Sequence, residues 1–227
     1  MSTISILICR IYIMNKNFII TLAVVVLGLF GIFAITSKKD EKKNTTASPS
    51  ASLSNNVIGE NKKNVTLVEY GDYQCPACGG YYPLIKQLVE TYKSDIQFQF
   101  RNFPLQQIHK NARAAARAAE SASKQGKFWE MHDLLYEQQS SWEQSSAVNI
   151  IFEQYAKQLG LNVDQYKKDF ASSEVNEIIN ADFNEGTRLG VESTPTFFLQ
   201  GKRLDNPPRD LAGWKKIIDE EIAAQKS

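Results

Sequence analysis

Residues 65–78 have the sequence VTLVEYGDYQCPAC. The first six are mostly apolar or β-branched and are followed by a Gly-Asp pair, which predicts a strand that ends there. After the cysteines, apolar residues recur at helical spacing, and Pro76 suits the first helical position because its missing N–H costs nothing there. The sequence therefore places Cys75 and Cys78 where a strand gives way to a helix.

This position indicates thiol chemistry. A helix N-terminus offers free backbone N–H groups and the positive end of the helix dipole, and both stabilise a thiolate. The pKa of Cys75 should therefore lie below the free-thiol value near 8.5, in a range of roughly 3.5 to 7.5. We expect Cys75, at the exposed tip, to be the nucleophile and Cys78, one turn deeper, to be the resolving thiol.

A zinc site or a structural disulfide could use the same C-x-x-C spacing. The zinc interpretation lacks a second pair of ligands, because Cys9 lies across a predicted membrane span and only two histidines are present. We expect no metal site, and we expect His109 and His132 to be solvated or structural.

The rest of the chain predicts an α/β domain with inserted helices. Ile96, Phe98 and Phe100 alternate with polar residues, which is typical of a strand with one buried face. Residues 110–189 have helical character and leave room for four or five helices. Residues 196–204 then predict a hairpin, and an apolar stripe predicts a terminal helix.

This order of elements around the cysteines resembles the thioredoxin superfamily. GDYQCPAC at residues 71–78 and GVESTPTFFL at residues 190–199 match both halves of that family's site. The helical insertion, at about residues 108–190, looks most like the DsbA-like thiol-disulfide oxidoreductases, especially the membrane-tethered forms of Gram-positive-type bacteria. The resemblance covers about residues 64–225. It implies a thioredoxin-like fold with an inserted helical subdomain, and a redox-active Cys75–Cys78 disulfide with no further cofactor.

The resemblance also implies roles for residues around the cysteines. Pro195 would be cis and pack against the disulfide, and Thr194 would offer backbone groups to an extended client. An ordinary trans proline at the start of a strand is the alternative. Pro76 and Ala77, between the cysteines, complete the expected substrate-binding set with Thr194.

Glu69 is the third element of the predicted site. It precedes Cys75 by six residues in an apolar strand. The resemblance places an acidic residue there, beneath the active site, where a carboxyl of raised pKa can relay a proton to or from the buried cysteine. The alternative is a solvent-exposed glutamate on an edge strand.

The N-terminal region differs in composition from this domain. Residues 17–37 carry no charge, and an almost unbroken apolar run at 18–35 would measure about 27 Å as a helix. We expect a transmembrane anchor or signal-anchor here, because the run is long for a secretory signal and no A-x-A-like site closes it. A cleaved signal peptide is the alternative. Residues 1–16 would form an N-terminal tail and residues 38–63 a disordered linker.

Charge is divided between these regions. Residues 1–63 contain eight basic and three acidic residues, whereas residues 64–227 contain 18 basic and 22 acidic residues. An acidic body offers no electrostatic footprint for nucleic acid. The lysines after the span would place the body in the cytoplasm by the positive-inside rule. Disulfide donation requires an oxidising compartment, however, so we expect a single-pass cell-membrane protein with an extracytoplasmic catalytic domain.

The stability of the reduced form sets the direction of exchange. Pro76 after the first cysteine resembles the oxidising members of the family, whereas Ala77 offers the thiolate no charge or hydrogen bond. We expect an oxidase that introduces disulfides into reduced secreted or surface proteins. A quinone-linked membrane partner of the DsbB or VKOR type would reoxidise it. The alternatives are a reductase or isomerase of the same fold, and a non-catalytic thioredoxin-like binding module.

Overall fold

A computed structural model describes residues 52–225. The elements in chain order are β1 (Val57–Ile58), β2 (Val65–Gly71), α1 (Pro76–Thr91), β3 (Ile96–Asn102), α2 (Ala112–Ser123), α3 (Phe128–Glu137), α4 (Gln139–Trp142), α5 (Val148–Gln158), α6 (Val163–Ala171), α7 (Ser173–Arg188), β4 (Thr196–Leu199), β5 (Lys202–Arg203) and α8 (Leu211–Ala224). The tail at 1–16, the anchor predicted at 17–37 and the linker up to residue 51 lie outside these residues. Within 52–225, no helix has both the length and the apolar character to cross a bilayer.

The five strands form one mixed sheet in the order β1-β3-β2-β4-β5. β2 and β3 are parallel, and β4 pairs antiparallel with the other side of β2. β2 is thus a central strand, so the edge-strand alternative for Glu69 is wrong. The carboxyl end of β2, which leads to the cysteines, lies in the middle of the sheet.

β3 follows the alternation that the sequence predicts. Ile96, Phe98, Phe100 and Asn102 are buried, and the three residues between them are half-buried. This pattern places one face of the strand against the hydrophobic core. The side chains of that core come from the sheet, from α1 and α8 and from the helices between β3 and β4, so the inserted helices share one interior with the sheet.

Between β3 and β4 the described chain contains six helices, where the sequence predicts four or five. The additional helix is the four-residue α4. A single turn is too short to show apolar periodicity, so sequence alone does not reveal it. Trp142, at its end, is fully buried and donates from Nε1 to the carbonyl oxygen of Leu135 at 2.8 Å.

The prediction that residues 38–63 form a disordered linker is wrong for the part from Ser54 onward. β1 pairs with β3, and Ser54 and Asn56 are buried. The Asn56 side-chain amide donates to Glu120 at 2.6 Å, and the Ser54 N–H donates to Asp182 at 3.0 Å. Composition predicts disorder here because polar residues bury little apolar surface. These long-range hydrogen bonds order the segment instead.

Candidate active site

A tight turn joins β2 to α1 and positions both cysteines. The N–H of Cys75 donates to the carbonyl oxygen of Asp72 at 3.0 Å, and the N–H of Gln74 donates to the Asp72 carboxylate at 2.8 Å. Cys75 is the N-cap of α1 in extended geometry, and Pro76 begins the helix as predicted. The sulfur of Cys75 therefore lies at the N-terminus of a 16-residue helix.

The two thiols are free and differ in access. Cys75 is 7% exposed, and Cys78 is 0% exposed. The expectation of an exposed tip is wrong for Cys75, because the segment before β4 lies against it. Its Sγ is 3.3 Å from the carbonyl oxygen of Thr194. Pro76 and Ala77 are the exposed residues of the motif. Cys75 thus keeps a small exposed surface, whereas Cys78 has none.

The two thiol pKa values shift in opposite directions. A hydrogen bond from the Cys78 thiol, aided by the backbone N–H groups of Ala77 and Cys78, overcomes burial and lowers the pKa of Cys75 to about 5. Burial raises the pKa of Cys78 well above its usual value, and the hydrogen bond to Cys75 and the charge of Glu69 add to this effect. At neutral pH the site holds a Cys75 thiolate beside a Cys78 thiol.

Glu69 lies in β2 opposite Phe100 of β3 and Phe197 of β4. Its side chain is buried, with the whole residue 4% exposed. Burial, and secondly the negative charge of Cys75, raise the pKa of Glu69 to about 8. Within residues 52–225 no group donates a hydrogen bond to its carboxylate. The structure thus places a mostly protonated carboxyl where it is electrostatically coupled to both sulfurs.

The second half of the predicted site meets the first at Cys75. The Thr194–Pro195 peptide bond is cis, as the family resemblance implies. Thr194 is 9% exposed, and β4 begins at the next residue but one, Thr196. The Cys75–Thr194 hydrogen bond brings together residues that are 119 positions apart. Thr194 therefore lies against the sulfur at the helix N-terminus, and the cis proline follows it directly.

Sequence reasoning missed the role of Asp72. Its side chain is completely buried, and its Oδ2 accepts from the N–H of Leu105 at 2.9 Å and lies 2.8 Å from Nδ1 of His109. An aspartate two residues before Gln74 in a turn after a strand is a recognisable signal for such a bond. His109 is structural, in agreement with one of its two predicted roles.

Two glutamines attach the cysteine turn to the helical insertion through contacts that the sequence did not indicate. The Gln139 side-chain amide donates to the carbonyl oxygens of Tyr73 and Cys75 at 2.7 and 3.0 Å. Gln74 donates to the carbonyl oxygen of Glu143 at 2.8 Å. All three bonds join residues more than 60 positions apart, so no local pattern could have predicted them.

A family model described as Thioredoxin matches residues 52–220. The chain belongs to the thioredoxin family. The probable disulfide bond formation protein D of Bacillus anthracis is 32% identical to this family member over 215 residues, which cover 89% of the chain and 94% of that protein. The crystal structure of oxidised BdbD from Bacillus subtilis is 26% identical, with a TM-score of 0.64, and covers 74% of the chain and 92% of its own.

The solved structure of alpha-DsbA2 from Wolbachia pipientis shares the fold, with a TM-score of 0.63 at 22% identity over 73% of this chain and 86% of that one. These comparisons confirm the predicted membership of the thioredoxin family, and the solved structures share the predicted DsbA-like fold.

The chain also matches a part of longer proteins. It is 36% identical over 151 residues to Na(+)/H(+) antiporter NhaA 3 of Salinispora tropica, a match that covers 66% of the chain and 22% of the antiporter. The chain thus spans about a fifth of the length of the curated antiporters that it matches.

Proposed function

We propose that this thioredoxin-family protein is a thiol-disulfide oxidoreductase that works through the Cys75–Cys78 pair, with no further cofactor. The observation that carries the proposal is the opposite shift of the two thiol pKa values. A thiolate is the nucleophile in thiol-disulfide exchange. At neutral pH the pair therefore has one reactive sulfur and one that stays protonated until it is needed.

In the proposed oxidation, a client thiolate attacks Cys75 Sγ and the Cys75–Cys78 bond breaks. Cys78 leaves as a thiolate and takes a proton from Glu69, whose raised pKa keeps it protonated. The second client thiol loses its proton to solvent and attacks the client sulfur bound to Cys75. The client leaves with a disulfide, two electrons remain on the enzyme, and Cys75 is released as a thiolate.

Reoxidation uses the same groups in reverse. The Cys75 thiolate attacks a disulfide of the oxidising partner, and its charge is lost in the mixed disulfide. Because that charge helps to raise the pKa of Glu69, its loss lowers this pKa, and a larger fraction of the carboxyl is deprotonated and free to accept a proton at this stage. Glu69 then accepts the proton of Cys78. The resulting Cys78 thiolate attacks Cys75 Sγ and restores the disulfide, and the partner leaves with two thiols.

The direction we propose is oxidation of the client. A stabilised thiolate stabilises the reduced enzyme, and an enzyme that is stable when reduced is a strong oxidant as a disulfide. The lowered pKa of Cys75 supports this direction. The name of the Bacillus anthracis relative, a probable disulfide bond formation protein, is consistent with it.

We further propose an extracytoplasmic location, with residues 17–37 as a membrane anchor. The clients would be reduced secreted or surface proteins, and a quinone-linked membrane protein of the DsbB or VKOR type would restore the disulfide. The apolar run at 18–35 and the need for an oxidising compartment support this arrangement. Pro76, Ala77 and Thr194 would contact the extended client.

Trapping of clients tests the proposed function. In Cys78→Ser the resolving sulfur is gone, so Cys75 should accumulate mixed disulfides with client proteins. Cys75→Ser is the matched control, because it lacks the accessible sulfur and should form none. Each variant is isolated from intact cells under acid quench. If neither carries adducts, the result contradicts an oxidoreductase and favours a non-catalytic binding module.

A further inference from the structure

The side-chain amide of Gln139 holds the backbone on both sides of Gln74. Its Nε2 donates to the carbonyl oxygen of Tyr73 at 2.7 Å and to that of Cys75 at 3.0 Å. An amide nitrogen carries two hydrogens, so each carbonyl receives one of them. If the peptide group after Cys75 rotated, the second of these bonds would break. Gln139 thus restrains the backbone of the residue that carries the reactive sulfur, while other groups bond to the sulfur itself.

The carbonyl oxygen of Cys75 is also the first acceptor of α1. The N–H of Gly79 donates to it at 3.1 Å, in the i to i+4 pattern of a helix. The pKa of Cys75 is lowered first by the Cys78 thiol and further by the backbone N–H groups of Cys78 and Ala77 in this same turn. These N–H groups stay directed at the sulfur only while the turn keeps its orientation. The direction of the Cys75 carbonyl therefore affects how well the helix start stabilises a thiolate.

Gly79 gives the Gln139 side chain its place on α1. A Cβ on Gly79 would lie 2.7 Å from Oε1, 3.2 Å from Cδ and 3.3 Å from Nε2 of Gln139. The shortest of these distances is well below van der Waals contact, so any larger residue at this position would displace the amide. A Cβ on the adjacent Gly80 would have no other atom within 4 Å. The close approach is therefore specific to Gly79.

The short helix α4 holds Gln139 in position. Trp142, its last residue, is fully buried and donates from Nε1 to the carbonyl oxygen of Leu135 at 2.8 Å. From α2 the side-chain amide of Asn111 donates to the carbonyl oxygens of Trp142 and Glu143 at 3.3 and 3.0 Å. Because this backbone is already fixed, the two bonds of Gln139 require little further ordering. The helical insertion thus presents a pre-positioned donor to the cysteine turn.

We propose that Gln139, placed against Gly79, is a positioning residue of the redox pair, through which the helical insertion stabilises the Cys75 thiolate. The inference rests on the proposed function, because it assumes that Cys75 is the nucleophile. Gln139 moves no proton and no electron in this role. It keeps the Cys75 carbonyl, and with it the first turn of α1, in the orientation that stabilises the reduced form. Loss of this restraint makes the enzyme a weaker oxidant.

Two substitutions in the full-length chain remove the same contact by different means. Gln139→Ala deletes the donor, and Gly79→Ala keeps the donor but displaces it from α1. The pH dependence of Cys75 alkylation by iodoacetamide, followed by mass spectrometry of the cysteine peptide, gives the pKa of this thiol. We expect each substitution to raise that pKa by about 0.5 to 1. The equilibrium constant against glutathione should change by about threefold to tenfold, which lowers the potential by about 15 to 30 mV.

Each variant has a matched control at the next residue. Gln138→Ala removes an exposed glutamine, and Gly80→Ala adds a Cβ that meets nothing within 4 Å. Both controls should keep the wild-type pKa and potential. Gly79→Ala combined with Gln139→Ala should show no more than the effect of Gln139→Ala alone, because the two act at one contact. Effects that add in the double variant would overturn this contact as their cause.

Stability measurements separate a positioning role from a purely structural one. If Gln139 only supports the fold, Gln139→Ala lowers the urea midpoints of the reduced and oxidised forms equally and leaves the pKa and the potential at wild-type values. That result would overturn the inference. If Gln139→Ala does not fold, Gly79→Ala decides by the same criteria, since it displaces only the end of a flexible side chain. Failure of the proposed function differs from both, because Cys78→Ser would then carry no client adducts although Gln139 is intact.

Discussion

Sγ of Cys75 lies 3.3 Å from the backbone carbonyl oxygen of Thr194 and donates a hydrogen bond to it in the thiol form. This bond joins the N-terminus of α1 to the segment before β4, and it leaves the neighbouring Pro76 and Ala77 exposed. The reactive sulfur is therefore held between two parts of the fold rather than at a free tip.

The stability of the reduced protein should depend on pH through Cys75. The pKa of Cys75 is lowered from 9.0 to about 5, so the thiolate stabilises the fold of the reduced form. This contribution is fully present above pH 9 and is lost as the pH falls to about 5. The free energy of unfolding of the reduced form, relative to the oxidised form, should increase with pH across this window. Urea denaturation of both forms at several pH values measures it, and parallel curves would contradict the thiolate assignment.

Glu69 should make stability depend on pH in the opposite direction, and Glu69→Gln should remove this dependence. The pKa of Glu69 is raised from 4.5 to about 8, so the folded protein binds a proton that the unfolded chain has lost, and stability falls as the pH rises between these values. An amide has no such penalty. Glu69→Gln should therefore unfold at a higher denaturant concentration than the wild type at pH 8, with a smaller difference at pH 4.5. Equal midpoints at both pH values would show that the carboxyl is not buried as described.

Gln139→Ala should loosen the cysteine turn. It removes two hydrogen bonds to the carbonyl oxygens of Tyr73 and Cys75, and each such loss costs about 0.5–1.5 kcal/mol. Hydrogen exchange at the start of α1 should become faster. The adjacent Gln138 is exposed, so Gln138→Ala is the control and should leave exchange there unchanged. Equal hydrogen-exchange rates at the start of α1 in both variants would show that Gln139 does not hold the cysteine turn.

Gly71→Ala should destabilise the fold. A Cβ at this position would lie 2.3 Å from a ring carbon of Phe100 and 3.1 Å from a carboxylate oxygen of Glu69. Overpacking of this kind costs about 1–3 kcal/mol. Gly80→Ala is the control, because Gly80 lies within α1 and a Cβ there would have no other atom within 4 Å. This substitution should stabilise the fold by about 0.4–1 kcal/mol. Thermal unfolding of the two variants should shift in opposite directions.

Local patterns were sufficient for the parts of the fold that depend on neighbours in sequence. The strand at 65–71 and the helix that begins at Pro76 follow from an apolar run, a Gly-Asp pair and a proline at the first helical position. The hairpin of β4 and β5 follows from the Gln-Gly turn between them. In each case the determinants lie within a few residues of one another.

The features that the sequence did not predict depend on distant contacts. The ordered segment at Ser54 depends on Asp182, 128 positions away, and the bonds of Gln139 to the cysteine turn span more than 60 positions. The burial of Cys75 likewise depends on Thr194. Such pairs become visible only when the fold brings them together. A single sequence therefore predicts the reactive residues of the site but not the long-range hydrogen bonds that hold them in place.

The equilibrium redox potential of the Cys75–Cys78 pair tests the central claim most directly. If the lowered pKa of Cys75 stabilises the reduced form, the potential in glutathione buffers should lie between the values typical of protein disulfide isomerase and DsbA, roughly −180 and −120 mV. A potential near that of thioredoxin, roughly −270 mV, would contradict an oxidase and leave a reductase.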